Sequence, residues 1–157
     1  MQQLTRFNVR VYGLLINELQ QVLVADEVFA NGIRATKFPG GGLELGEGLR
    51  ECLAREFKEE TGINVTVAEH FYTTDFFQPS FLDNNSQIIS VYYLCQSAEW
   101  QNIKTSDKKF DFEVVPGKEA ESFRWVPVKD LQHETTITLP IDKVVVDLLS
   151  GLSAHSK

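Results

Sequence analysis

Apolar and polar positions along the chain fall into segments of two different periods. From Phe7 to Ile16 the pattern alternates at first (Phe7, Val9, Val11) and then turns apolar on both faces, which predicts a strand. Asn17 to Gln21 is polar and reads as a turn, after which Val22 to Ala25 predicts a short returning strand. Ile63 to Phe77 contains further β-prone stretches. Gln87 to Cys95 is nearly continuous in apolar and aromatic residues, as expected of an inner strand covered above and below. Helical spacing governs two other stretches. Leu49, Cys52, Leu53 and Phe57 share one arc of a helix that Gly62 is suited to end, glycine being the common left-handed C-terminal cap. Pro140 suits a first helical turn, and Ile141, Val144, Val145, Leu148, Leu149 and Leu152 then recur at helical intervals. Trp100 to Lys118 is polar and irregular and predicts a long loop or hairpin. The expected class is α/β, a mixed central sheet between helices.

With 157 residues the chain suits one domain, residues 1–157, with a sizeable core. No stretch approaches the roughly 20 continuous apolar residues that span a membrane, and no basic segment followed by an apolar run opens the chain. Cys52 and Cys95 match no metal or redox spacing, so two buried thiols in the reducing cytoplasm are expected. The formal net charge of −7 argues against a nucleic-acid backbone as the main partner. It admits a small phosphate substrate if divalent cations stand between the two sets of negative charge.

The chemistry concentrates between Phe38 and Ile63. Gly40, Gly41 and Gly42 follow Phe38-Pro39 and let main-chain groups approach a ligand closely. On the helix that follows, Glu56, Glu59 and Glu60 fall within about 100° of one another, and their arc overlaps the apolar one. Like charges packed on a buried side raise the pKa of at least one carboxylate unless a positive charge compensates. A hard divalent cation such as Mg²⁺ is the natural compensation. Near a helix C-terminus three carboxylates also oppose the helix dipole, a poor arrangement for a purely structural cluster.

Gly41, Glu47, Arg55-Glu56, Glu59-Glu60 and Gly62 resemble the signature of the Nudix hydrolases at all seven of its fixed positions, with Phe57 and Ile63 at its two apolar ones. Phe57 stands where that family usually has an aliphatic residue. The preceding strand order and Phe123-Arg124-Trp125-Val126-Pro127 are also similar to the family. The resemblance implies a Nudix-like α/β/α sandwich and metal-dependent cleavage of a diphosphate linkage. It implies that Glu56, Glu59 and Glu60 bind Mg²⁺ or Mn²⁺ with the carbonyl of Gly40. Arg55 would orient a carboxylate, with Glu47 beside it. The general base would be a signature glutamate or an acid on a later loop, Glu119 matching better than Glu121 by its distance from Trp125.

His70, His133 and His155 form no ligand pairs, and His155 is expected in a tail. Most aromatics should be core, with one or two between Phe76 and Phe81 touching substrate; Phe77, Gly41 and Gly42 are taken as substrate-binding. Pro79, sixteen residues after Ile63, is similarly placed in members acting on ADP-ribose. The expected substrate is therefore a small nucleotide, foremost a nucleoside diphosphate joined to another moiety. A nucleoside triphosphate comes second, and a ligand-sensing module without catalysis third. A homodimer stays open.

Overall fold

The computed structural model describes residues 3–155, with side chains described as far as Gly151. Four strands form a mixed sheet in the order β4 (Gly40–Gly42), β1 (Arg6–Leu15), β6 (Ser86–Gln96), β5 (Thr66–Thr73). In it β1 runs parallel to β6, in register from Arg6↔Ser86 to Leu15↔Cys95, while β4 and β5 pair antiparallel on either side. A second, antiparallel sheet has the order β3 (Arg34–Lys37), β2 (Gln21–Val28), β7 (Ala120–Pro127). The continuous apolar run of β6 thus sits inside its sheet, as its composition requires. The short strands β3 and β4 and the strand β7 add to the elements read from the sequence. Three or four residues carry too little periodicity to announce a strand, and a triple glycine normally argues against one.

Each strand presents alternate residues to opposite faces. One face of both sheets gives Val11, Leu15, Leu23, Ala25 and Phe123 to a core closed by Cys52, Leu53 and Phe57 of α1 (Leu49–Thr61). The opposite face gives Leu14, Val22, Val24, Tyr92 and Val126 to a core closed by Ile141, Val145 and Leu149 of α2 (Pro140–His155). The result is an α/β/α sandwich. α2 runs through His155, so that histidine belongs to a helix and not to a tail. The segment after β6 is a loop with one 3-10 turn at Trp100–Asn102, not a hairpin. A buried pair ties it down: Arg124 donates to Asp26 at 2.6 Å, and the amide of Phe110 donates to the same carboxylate at 3.2 Å. Burial opposes that charge, but hydrogen bonds from Arg124 and Thr36 hold Asp26 below the usual carboxylate range. Among the described residues no helix is long and apolar enough to cross a membrane.

Candidate active site

The glycine strand β4 lies antiparallel to β1 in front of the second half of α1. Gly40 is buried at φ +153, where a side chain would strike the backbone of β1. A Cβ on Gly41 would overlap the Glu56 carboxylate, with Oε2 at 2.7 Å. Glycine at this position is what lets Glu56 lie against the loop. α1 itself ends where the sequence predicts: Gly62 is left-handed at φ +79, and its amide donates to the Lys58 carbonyl at 3.1 Å.

Arg55 organises the acids along α1. It donates to Glu47 at 2.8 Å, to Glu56 at 3.1 Å and to Glu59 at 3.2 Å, and reaches the Gly42 carbonyl at 3.3 Å. Hydrogen bonds from Arg55, with the Glu44 amide second, hold the Glu47 carboxyl down at about 2. The structure brings Glu56 and Glu60 together in one cleft with Gly40, Gly41 and Gly42. Glu59 departs from the expected buried arc, its side chain being 58% exposed. At about 100° per residue it falls on the Arg55 side of the arc, turned away from Glu60, and pairs with Arg55. Phe77 is 59% exposed and does not line this cleft.

The opposite wall of the cleft comes from residues that the signature does not contain. Glu27 on β2 and Glu121 on β7 face each other in strand register, and Lys37 on β3 pairs with Glu27 at 3.4 Å. Glu121 has the same strand parity as Phe123 and Trp125, so it faces α1. Glu119, two residues earlier and outside the strand, is exposed at the mouth of the cleft. Arg10 also lines this cleft. Burial pushes Glu60 up to about 8 against the pull of Lys37, with Glu121 and Glu56 adding repulsion. Burial likewise raises Glu121 above the carboxylate range, with Glu27 and Glu56 adding to it. Strand alternation marks Glu27 and Glu121 as inward once β2 and β7 are paired, but only the pairing reveals that they meet.

Glu60 Oε2 is buried and has no hydrogen-bond partner. An unpaired acidic oxygen in the cleft that Glu56 and the glycine loop also line fits a hard divalent cation such as Mg²⁺ or Mn²⁺. Among the described residues, no three His, Cys, Asp or Glu side chains already converge as a ligand cluster. Arg55 accounts for part of this, since it engages Glu56 and Glu59 itself.

A second cavity adjoins the cleft and shares Arg10, Lys37, Phe29 and Leu82 with it. It encloses about 690 Å³, open mouth included, and its remaining wall is largely aromatic and aliphatic. Tyr12, Tyr92, Phe81 and Pro79 contribute to it, and Asp142 lies in its wall, bonded to the Tyr92 hydroxyl at 2.5 Å. The carboxylate-lined cleft behind the glycine loop thus opens into a largely apolar recess.

The sequence profile of the NUDIX domain matches residues 6–148. An RNA pyrophosphohydrolase of Roseobacter denitrificans is 30% identical over 128 residues, 80% of this chain and 79% of that one. Among solved structures, a NUDIX hydrolase from Nitrosomonas europaea superposes with a TM-score of 0.66 at 16% identity, covering 97% of this chain and 92% of that one. The MutT protein from Methanosarcina mazei Go1 gives a TM-score of 0.64 at 20% identity, covering 98% and 97%. The chain belongs to the Nudix family. It is a Nudix-type hydrolase of pyrophosphate bonds, and the family generally uses divalent metals.

Proposed function

We propose that the protein hydrolyses the phosphoanhydride bond of a nucleoside diphosphate joined to a second moiety, such as ADP-ribose or a nucleotide sugar. Glu56, Glu60 and the carbonyl of Gly40 would hold Mg²⁺ or Mn²⁺, with Glu59 completing the set from the rim. The ion, when bound, supplies charge compensation between the phosphates and the acidic cleft and Lewis acidity at phosphorus. Arg55 keeps Glu47 ionised and orients Glu56 by a hydrogen bond. Glu121, facing the cleft and raised toward neutrality, is suited to take a proton from the attacking water. Glu119, at the mouth, is the second candidate for that role. Residues 1–157 would act as one domain, in the cytoplasm, consistent with two buried free thiols.

One observation carries the substrate reading: the acidic cleft is continuous with an apolar recess through two shared cations, Arg10 and Lys37. An anhydride suits the first chamber and a nucleoside the second. The name of the 30% identical relative, an RNA pyrophosphohydrolase, favours a further reading, a pyrophosphate group carried on RNA. The net charge of −7 weighs against it. Nucleoside triphosphates remain the alternative among small molecules.

A hydrolysis screen with Mg²⁺ over nucleotide sugars, dinucleotides, nucleoside triphosphates and a 5′-triphosphorylated oligoribonucleotide tests this. Release of a nucleoside monophosphate together with a sugar phosphate is the expected result. Turnover of triphosphates or RNA ends alone would transfer the assignment to those readings. No cleavage of any of them would refute the proposal.

A further inference from the structure

We propose that Arg10 grips the phosphate of the nucleoside-monophosphate half of the substrate, and thereby fixes which half enters the apolar recess. The inference rests on the nucleotide reading above and assigns a residue outside the signature.

Buried and half-buried arginines normally spend their guanidinium on carboxylates, since an unpaired charge withdrawn from water is costly. Arg124 does so with Asp26 and Glu134, and Arg55 with Glu47, Glu56 and Glu59. Arg10 does not. Its one side-chain hydrogen bond runs from Nε to the Tyr12 hydroxyl at 2.7 Å, which fixes the guanidinium plane. Among the described residues no carboxylate lies within 4.0 Å of it. The terminal N–H groups are therefore unspent, and a planar fork of this kind matches two oxygens of a phosphate. Lys37, the other shared cation, is already paired with Glu27.

Position then decides which phosphate is meant. Arg10 Nη1 lies 3.6 Å from where a Cβ of Gly42 would be, so the fork stands over the glycine loop. On its other side the wall includes Tyr12, Tyr92, Phe29 and Phe81, which offer a nucleoside stacking and apolar contact, and its one cation besides Arg10 is the paired Lys37. Asp142, buried in that wall, reinforces the orientation: a carboxyl group accepts N–H or O–H donors and repels a second phosphate. A phosphate held at Arg10 is thus the one esterified to the group in the recess, with the anhydride oxygen directed toward Glu56 and Glu60.

Equilibrium binding in the presence of a chelator separates this role from metal chemistry. AMP, GMP, UMP and CMP, and the four parent nucleosides, are titrated by calorimetry into wild type, Arg10→Gln and Arg10→Lys. Wild type should bind at least one monophosphate at least 10-fold more tightly than its nucleoside. Arg10→Gln should erase that preference while leaving nucleoside affinity unchanged, which also shows that the variant is folded; Arg10→Lys should keep part of it. Equal monophosphate binding by wild type and Arg10→Gln overturns the proposal, as does parallel loss of monophosphate and nucleoside. A wild type that cleaves nucleotides in the screen but binds no monophosphate overturns the seating alone. A wild type that neither cleaves nor binds any nucleotide refutes the nucleotide reading, and this inference with it.

Discussion

Glu60 is held by the fold as a buried acid among other acids, and the cost of its charge should be readable in the stability of the metal-free protein. Its carboxyl is displaced from an ordinary 4.5 to about 8, chiefly by burial. The folded state therefore keeps a proton that the unfolded chain gives up. Stability from this group is fully present below about 4.5, and it is lost as pH rises through 8. At about 1.4 kcal/mol per pH unit the displacement sets a ceiling near 5 kcal/mol. Lys37, Glu121 and Glu56 share the same field and readjust when one charge changes, so about 1–3 kcal/mol is the expected remainder. Glu60→Gln keeps the shape and removes the charge. In a chelator it should melt with wild type at pH 4.5 and above it at pH 8.5, by roughly 3–9 °C at the usual conversion for a chain of this size. Adding Mg²⁺ at pH 8.5 should raise wild type more than the variant. Differential scanning calorimetry across pH measures all of this. A metal-free wild type that is as stable at pH 8.5 as Glu60→Gln would refute the reasoning, because the acid would then bear no electrostatic cost.

Three further substitutions probe the rest of the cleft. Gly41→Ala drives a methyl group into the Glu56 carboxylate; Mn²⁺ affinity, followed by electron paramagnetic resonance, should fall at least about 10-fold, at a folding cost of about 1–3 kcal/mol. Arg55→Ala strips Glu47, Glu56 and Glu59 of their shared cation. Because Glu47 is held down at about 2, its contribution is present above 4.5 and lost as pH falls toward 2. The variant should thus melt below wild type at pH 7, with the difference closing in acid. Glu121→Gln should slow turnover by roughly 10²–10⁴-fold if it is the base. Glu119→Gln should change turnover little, and single-turnover kinetics with metal affinity measured in parallel distinguishes the two.

Much of this site was readable before the fold was known, and the reason is local. The signature acids, the glycines before them and the cap at Gly62 lie within 23 residues, where helical geometry relates Glu56, Glu59 and Glu60 and the resemblance to the Nudix signature supplies the rest. The inner position of β6 followed from a run with no polar face. Long-range neighbours were different: Glu27, Lys37, Arg10 and Glu121 come from four strands in two sheets, and only strand pairing and sheet packing bring them to one cleft. Glu119 and Glu121 share parity, so counting back from Trp125 could not tell which one the strand includes. Glu59 is more exposed than its arc suggested because a helical wheel does not show how wide the covered face is, and Glu59 stands at its edge on the Arg55 side. Aromatic identity likewise does not tell which side of a loop is covered, and Phe77 is exposed outside the carboxylate cleft.

Phosphorus NMR of a nucleotide sugar incubated with the protein tests the central claim most directly, run first with Mg²⁺ and then after excess chelator. The account predicts that the diphosphate resonances give way to those of a nucleoside monophosphate and a sugar phosphate with Mg²⁺, and that conversion stops when the metal is removed. Undiminished conversion in metal-free buffer, or intact diphosphate with Mg²⁺ across the whole substrate panel, would contradict it.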